Sequence, residues 1–517
     1  MDLRDGRGLL VEEILRRAAQ STPDAPAASR GDTVCSYADL DRDSDRLALV
    51  LRSELGIGHG DRVVVWADTA LEVLPLFFAV AKLGAVFAPL NARLGAEEAS
   101  EVARLARGSV LVSDSERASD AKRVAASADV PKRAVLARIF DASSTPGLDA
   151  EVDAQSLYLD PGALPDPTGG IREERLVETD PHVIFFTSGS TGTPKGVVLS
   201  HRANWLRAFQ GVFRDEPERT VCMFPLFHMA AFTLAMAAWQ TRGEIIFTDA
   251  SAESILRAVE RRNANRVYGL PLVWSRVLAE DTGRWDLSSL RQIDTGTSAT
   301  PIELLRDLKE RFPGRAIRVY YGSTECGSAT ALADADVLRK PGSVGTASIS
   351  VDLLLDDDGE ICVRSPFLMD GYFDDPEATA GAMRDGWFLT GDLGSLDEEG
   401  YLSIVGRKKE VLRTGGESVS PAEVEGVLRD APGVSEVAVV GLPDPEWGEV
   451  LCAAVVPEKG ASIRLADLQA HCEGRLAGFK KPRRLAIMER LPRTQATAQV
   501  QRTLLVEEIL SSGRILE

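Results

Sequence analysis

Apolar positions along the chain change their spacing in a regular way. Leu10, Val11, Ile14, Leu15 and Ala18 recur at helical spacing, and Ser21-Thr22-Pro23 closes that helix. Short apolar runs then alternate with helical stretches. Val63-Val64-Val65-Trp66 predicts a buried strand, the segment after Leu71 a helix, and Ala85-Val86-Phe87-Ala88 the next strand. Val110-Leu111-Val112, Val183-Ile184-Phe185-Phe186 and Glu244-Ile245-Ile246-Phe247 have the same character. Such alternation predicts an α/β fold of largely parallel, helix-covered sheets. Residues 161–180, rich in proline, glycine and charge, read as a surface connection.

Later the pattern shifts. Gly371, Gly386, Gly391 and Gly400 punctuate short strands, which predicts a smaller β-rich subdomain. Beyond Gly406 the sequence predicts a helix from Pro421, strands over Glu436–Val440 and Val450–Val456, a helix over Leu465–Leu476 and a strand over Arg484–Met488. These make a compact α+β unit, so the boundary is placed between an N-terminal domain, 1–406, and a C-terminal one, 407–517.

Composition narrows the function. Fifty-nine basic residues against 78 acidic ones leave a net charge of −19, which opposes binding to nucleic acid or an anionic membrane. The most apolar run, residues 70–90, is interrupted by Glu72, Pro75 and Lys82, so it reads as a buried helix and strand rather than a membrane span. Six scattered cysteines without a C-x-x-C pair argue against zinc or a disulfide framework, and the N-terminus lacks a signal-peptide pattern. A soluble protein of the cytoplasm is expected.

The candidate chemistry starts after the apolar run Val183–Phe186. There the chain reads Thr187-Ser188-Gly189-Ser190-Thr191-Gly192-Thr193-Pro194-Lys195-Gly196. Small residues let backbone N–H groups approach phosphate oxygens, hydroxyls add donors, and Lys195 adds charge. A flexible linker would need neither Pro-Lys-Gly nor apolar strands on both sides. The segment is a nucleotide loop, and it is not the G-x-x-x-x-G-K-[ST] loop.

With this loop and four further motifs, the chain resembles the adenylate-forming superfamily of acyl-CoA synthetases, luciferases and peptide-synthetase adenylation domains, most in the manner of bacterial acid–CoA ligases. The further motifs are Phe224-Pro225-Leu226-Phe227-His228, Tyr320-Tyr321-Gly322-Ser323-Thr324-Glu325, Trp387-Phe388-Leu389-Thr390-Gly391-Asp392, and Gly406-Arg407-Lys408-Lys409 followed by Gly415-Gly416-Glu417. The resemblance runs from about Ala25 to Arg502. It implies ATP and Mg²⁺ as cofactors and, by default, CoA as second substrate, with a carrier protein open as an alternative acceptor. It implies a large N-terminal domain and a small mobile C-terminal one.

The resemblance also assigns roles. Thr187, Ser188, Gly189, Ser190, Thr191, Gly192 and Lys195 would hold phosphates. Glu325 would supply one hard oxygen to Mg²⁺, Thr324 would donate to the α-phosphate, and Tyr321 with Gly322 would flank adenine. Gly296, Thr297 and Ser298 would line the adenine and acid pockets, with Thr297 making that wall more polar than a fatty-acid tunnel needs. His228 would lie beside the substrate carboxylate. Asp392 and Arg407 would hold the ribose, Lys409 would be the hinge, and Gly415-Gly416 would line the thiol channel.

One departure stands out. The family's C-terminal Pro-Arg-Thr-x-Thr-Gly-Lys is here Pro492-Arg493-Thr494-Gln495-Ala496-Thr497-Ala498-Gln499. Anchoring on Val500-Gln501-Arg502 puts Gln499 at the lysine position; anchoring on Pro492-Arg493-Thr494 puts Ala498 there. An amide can donate a hydrogen bond but carries no charge. Three readings stay open: Arg493 or Arg502 takes over and a small or aromatic acid is activated; the chain binds nucleotide or acyl groups without catalysis; or the nucleophile is nitrite, as in relatives from bacterial secondary metabolism that diazotise an aromatic amine.

Overall fold

The computed structural model describes residues 8–136, 156–160, 163–164, 166–167, 171–188, 194–209, 216–414, 417–445, 447–494, 499–512 and 515–516. The chain divides into two compact units. One comprises Met1–Pro341, Ala347–Asp352 and Arg364–Phe388; the other comprises Gly342–Thr346, Leu353–Val363 and Leu389–Glu517.

The first unit carries two sheets. In one, the strands run in the order Gly371–Tyr372, Pro194–Ser200, Pro181–Ser188, Val86–Pro89, Arg62–Trp66, Val110–Asp114, Arg133–Leu136 and Ser156–Leu159. The run from Pro181–Ser188 to Ser156–Leu159 is parallel, and the other two strands add antiparallel. Strand Arg62–Trp66 is apolar without alternation because both of its faces are covered. Val64 and Trp66 pack with Val102, Ala103 and Val124 of the helices Ala96–Ala106 and Ala118–Ser127. Every residue of helix Val73–Lys82 is buried, and Lys82 ends on Asp41, Ser44 and Asp45. No helix among the described residues is long and apolar enough to cross a membrane.

The second sheet of this unit is parallel from Ala316–Ser323 through Gln292–Gly296, Arg266–Tyr268, Arg219–Cys222 and Glu244–Phe247 to Pro26–Arg30. Gly327–Leu332 and Thr33–Ser36 flank this parallel run antiparallel. The predicted α/β class therefore holds, with antiparallel margins that the alternation pattern did not announce.

In the second unit, Val434–Asp444 and Gly448–Pro457 form a long antiparallel pair, and Arg484–Ile487 lies parallel to Gly448–Pro457. Side chains alternate across it. Val439, Leu451, Ala453, Val455 and Leu485 meet Val424 and Leu428 of helix Pro421–Leu428. Ala438, Val440, Cys452, Ala454 and Ala486 meet Leu505 and Ile509 of helix Arg502–Ser512. One predicted element is shortened. The helix expected over Leu465–Leu476 ends at His471, because the chain turns through Cys472 to Gly474, whose φ is +70°.

Candidate functional site

The nucleotide loop sits where strand Pro181–Ser188 turns back into Pro194–Ser200. Thr187 pairs with Lys195 and Ser188 with Pro194, and the Thr187 hydroxyl donates to the Lys195 carbonyl at 3.5 Å. Gly189, Ser190, Thr191, Gly192 and Thr193 lie outside the described residues, as do Gly415 and Gly416 and part of the connection 161–180. The Lys195 ammonium lies 4.6 Å from the centre of the Tyr372 ring. The Tyr372 hydroxyl in turn donates to Glu325 Oε1 at 3.1 Å. Lys195 and Glu325, distant in sequence, are thus brought to opposite ends of one side chain.

Glu325 occupies the tip of a tight hairpin between Ala316–Ser323 and Gly327–Leu332. A Cβ on Gly322 would stand 1.9 Å from the Gly327 carbonyl oxygen, so only glycine permits this approach. Buried Arg207 donates to the Thr324 carbonyl at 2.9 Å and to the Phe367 carbonyl at 2.5 Å, and Met369 N–H donates to the Glu325 carbonyl at 2.7 Å. Burial pushes the Arg207 pKa down to about 10, against the opposing fields of Cys326, Asp370 and Glu325. Arg207 and Tyr372 carry no motif signal of their own. The only local hint is Gly371, at φ +144°, placed just before the tyrosine.

The neighbouring strand ends at Gly296, where a Cβ would meet the Tyr320 carbonyl oxygen at 2.2 Å. Thr297 follows at φ +69°, a left-handed conformation that costs a β-branched residue energy. Its side chain hydrogen-bonds the hydroxyl of half-buried Tyr268. Ser298 is exposed, and half-buried Tyr321 pairs across the hairpin with Thr330. Aromatic rings run in a ladder: Tyr320 stacks on Tyr268 at 6.1 Å, Tyr268 meets Phe224 edge-on at 5.4 Å, and Phe224 stacks on His228 at 5.3 Å. His228 caps helix Met229–Gln240, with Nδ1 accepting from Ala230 N–H at 3.2 Å. Burial pushes its pKa down to about 4. The ring is therefore neutral at pH 7, and with Nδ1 an acceptor its proton resides on Nε2.

Two further histidines resist protonation. His182 and His201 lie fully buried with ring centres 4.5 Å apart, and burial holds the His182 pKa well below its usual range and pushes that of His201 down to about 3. All three favour the neutral form in the folded state, so their contribution is complete above about pH 6.5 and is lost as pH falls. Stability is expected to drop between about pH 6.5 and 4, at about 1.4 kcal/mol per pH unit for each histidine. Asp43, Asp45 and Asp370, raised mainly by burial, act in the opposite sense only nearer the carboxylate range. Urea melts at half-unit pH steps measure this; a flat profile from pH 6.5 to 4.5 contradicts it.

The remaining candidates lie in the second unit. Asp392 and Arg407 face one another across the strand pair Trp387–Leu396 and Leu402–Arg407, and Arg407 Nε meets Asp392 Oδ1 at 2.7 Å. Asp392 is buried and Arg407 half exposed. Lys409 is exposed in the single 3₁₀ turn Lys408–Glu410. Gln499 is exposed beside the antiparallel bridge between Arg493 and Val500, its carbonyl accepting from Thr494 N–H at 2.7 Å and its N–H donating to Thr494 Oγ1 at 3.0 Å; residues 495–498 lie outside the described residues.

Comparison with known proteins shows the family of the chain. The family described as AMP-binding enzyme matches residues 15–373, and the AMP-binding enzyme C-terminal domain matches 423–497. The chain is 36% identical over 497 residues to a feruloyl-CoA synthase of Amycolatopsis sp, covering 92% of this chain and 95% of the relative. It is 35% identical over 508 residues to an indoleacetate–CoA ligase of Aromatoleum aromaticum, covering 94% and 95%. Among solved structures it is similar to o-succinylbenzoate CoA synthetase from Bacillus subtilis in complex with its acyl-adenylate intermediate. That match has a TM-score of 0.81 and 26% identity, covering 95% of this chain and 97% of that one.

Proposed function

The chain belongs to the AMP-binding enzyme family and is an AMP-forming ligase, and from that premise we propose that it activates an aromatic carboxylic acid with ATP and passes the acyl group to CoA. The observation that carries the adenylating half is the convergence of Lys195 and Glu325 on Tyr372. It sets a phosphate-directed cation beside a metal-directed carboxylate at the strand ends of an α/β sheet, where such folds bind ligands. The aromatic substrate is supported by the ring ladder from Tyr320 to His228 and by the feruloyl and indoleacetate names of two relatives.

In the first step a carboxylate oxygen attacks the α-phosphorus, the bond to the bridging oxygen breaks, and pyrophosphate leaves. The barrier is met mainly by positioning and charge. Neutral His228 offers an Nε2 proton to the acid without itself becoming charged. In the second step the CoA sulfur attacks the acyl carbon and AMP departs. No group of three or more His, Cys, Asp or Glu among the described residues gathers into a metal cage. Glu325 would supply one hard oxygen to Mg²⁺, and the ion would supply charge neutralisation at the leaving pyrophosphate. The ribose falls to Asp392 and Arg407. The C-terminal domain, taken from residue 407, turns about Lys409 between the two steps. Six buried cysteines without a disulfide suit a reducing cytoplasm.

Pyrophosphate release with ferulate, indoleacetate, benzoate and a long-chain acid, each with and without CoA, tests this. Aromatic acids are expected to give AMP, and a thioester when CoA is present. A parallel arm with nitrite and an aromatic amine serves as the contrast. AMP formation in that arm alone would overturn acid activation.

A further inference from the structure

Tyr372 lies outside every nucleotide motif, yet it touches two of them. Its strand pairs with the one that leaves the phosphate loop: Tyr372 lies opposite Val197, and Phe373 N–H donates to the Gly196 carbonyl at 2.7 Å. The same segment grips the acidic turn, since Met369 N–H donates to the Glu325 carbonyl at 2.7 Å. Residues 369–373 therefore bridge the strand carrying Lys195 and the turn carrying Glu325. The backbone of Tyr372 is fixed as well. Its N–H donates to Thr379 Oγ1 at 2.9 Å, Thr379 Oγ1 donates to the Asp375 carbonyl at 2.8 Å, and a Cβ on Gly371 would meet Thr379 at 3.0 Å. With both ends held, the ring has one place to go.

We propose that Tyr372 is a positioning residue of the nucleotide site: its hydroxyl orients the Glu325 carboxylate through Oε1, and its ring face holds the Lys195 ammonium, so that both charges stand preset before ATP arrives. The inference rests on the reading of Glu325 as the metal-directed carboxylate. A hydrogen bond to Oε1 leaves the lone pairs of Oε2 for a metal, and such outer partners commonly set the orientation of a ligating carboxylate. A phenol suits the task. It donates to the carboxylate without adding charge of its own. The ring offers the ammonium an attraction that a phosphate can outbid, so Lys195 is held but not trapped. A ring that only filled space would do neither, and phenylalanine would replace it without loss.

The test uses the full-length protein and two variants. Tyr372→Phe keeps the ring and removes the hydroxyl; Tyr372→Leu removes both. Mn²⁺ serves as the probe, its affinity for the ATP-loaded protein read by electron paramagnetic resonance, and ATP affinity in excess chelator is read by calorimetry. Tyr372→Phe is expected to bind metal-free ATP within about twofold of the parent while weakening Mn²⁺ by about tenfold or more. Tyr372→Leu is expected to add a loss of about two- to fivefold in metal-free ATP affinity. Glu325→Ala separates the two levels of inference. If that variant holds Mn²⁺ as the parent does, the metal reading of Glu325 fails. If it loses Mn²⁺ while Tyr372→Phe retains it, the positioning role alone is overturned. Equal metal-free ATP affinity in the Phe and Leu variants overturns the Lys195 half.

Discussion

Replacing Glu325 with alanine is expected to cut ATP turnover by about 10²–10³ while leaving the fold intact. The fold should survive because the turn is held by its backbone. Arg207 keeps the Thr324 carbonyl, Met369 keeps the Glu325 carbonyl, and neither bond uses the Glu325 side chain. The loss falls on the chemistry. Pyrophosphate gains charge as it leaves, and in the proposed role a fixed Glu325 carboxylate holding Mg²⁺ would act most strongly at that moment. Glu325→Gln sharpens the result. Its amide oxygen still accepts from Tyr372, so the site keeps its shape, yet the charge is gone. Both variants should therefore lose turnover, and Glu325→Gln should also melt within a few degrees of the parent. Steady-state AMP formation across an Mg²⁺ series, with thermal melts of each protein, measures this. A glutamine variant within threefold of the parent at saturating Mg²⁺ would remove Glu325 from the metal-directed role.

The parts of this site legible from sequence are those written into one short segment. Val183–Phe186 announces a strand by its apolar run, and the small residues after it announce a loop. Tyr320 to Glu325 and Trp387 to Asp392 likewise carry their meaning within six residues. Arg207 and Tyr372 could not be read this way. Arg207 meets Thr324 across 117 residues, and Tyr372 meets Glu325 across 47. Each is an ordinary residue type in an ordinary stretch, and its role comes from what the sheets bring beside it. Thr297 shows the same limit. Its hydroxyl suggested a polar pocket wall, but neither its left-handed backbone nor its hydrogen bond with the Tyr268 hydroxyl is written in the local sequence. The shortened helix after Leu465 was missed for the opposite reason: apolar spacing continued to Leu476, whereas Gly474 had already turned the chain.

Introducing lysine at position 499 is expected to speed adenylate formation from an aromatic acid by about tenfold. The acid and the α-phosphate are both anionic, and a cation placed between them lowers the repulsion they meet on approach. The arginines nearest in sequence are already engaged with carboxylates. Arg502 Nε contacts Glu410 at 2.9 Å, Arg502 Nη1 contacts Glu425 at 2.7 Å, and Arg493 contacts Glu436 at 2.5 Å. Arg502 is better understood as the clamp joining the start of helix Arg502–Ser512 to the turn Lys408–Glu410 and to helix Pro421–Leu428, and its pKa is raised by those glutamates against the cost of burial. Gln499 is exposed, and its backbone is already set by Thr494, so a lysine there costs the fold little. A charged donor is worth about 1–1.5 kcal/mol more than a neutral one, which is about tenfold in rate. Single-turnover measurement of acyl-adenylate with Gln499→Lys and Ala498→Lys tests both registers of the segment. Acceleration in the first alone places residue 499 beside the reacting carboxylate, and acceleration in the second alone moves that place to residue 498. If neither variant is faster, this segment does not meet the acid during adenylation, and a charge from elsewhere in the chain guides it.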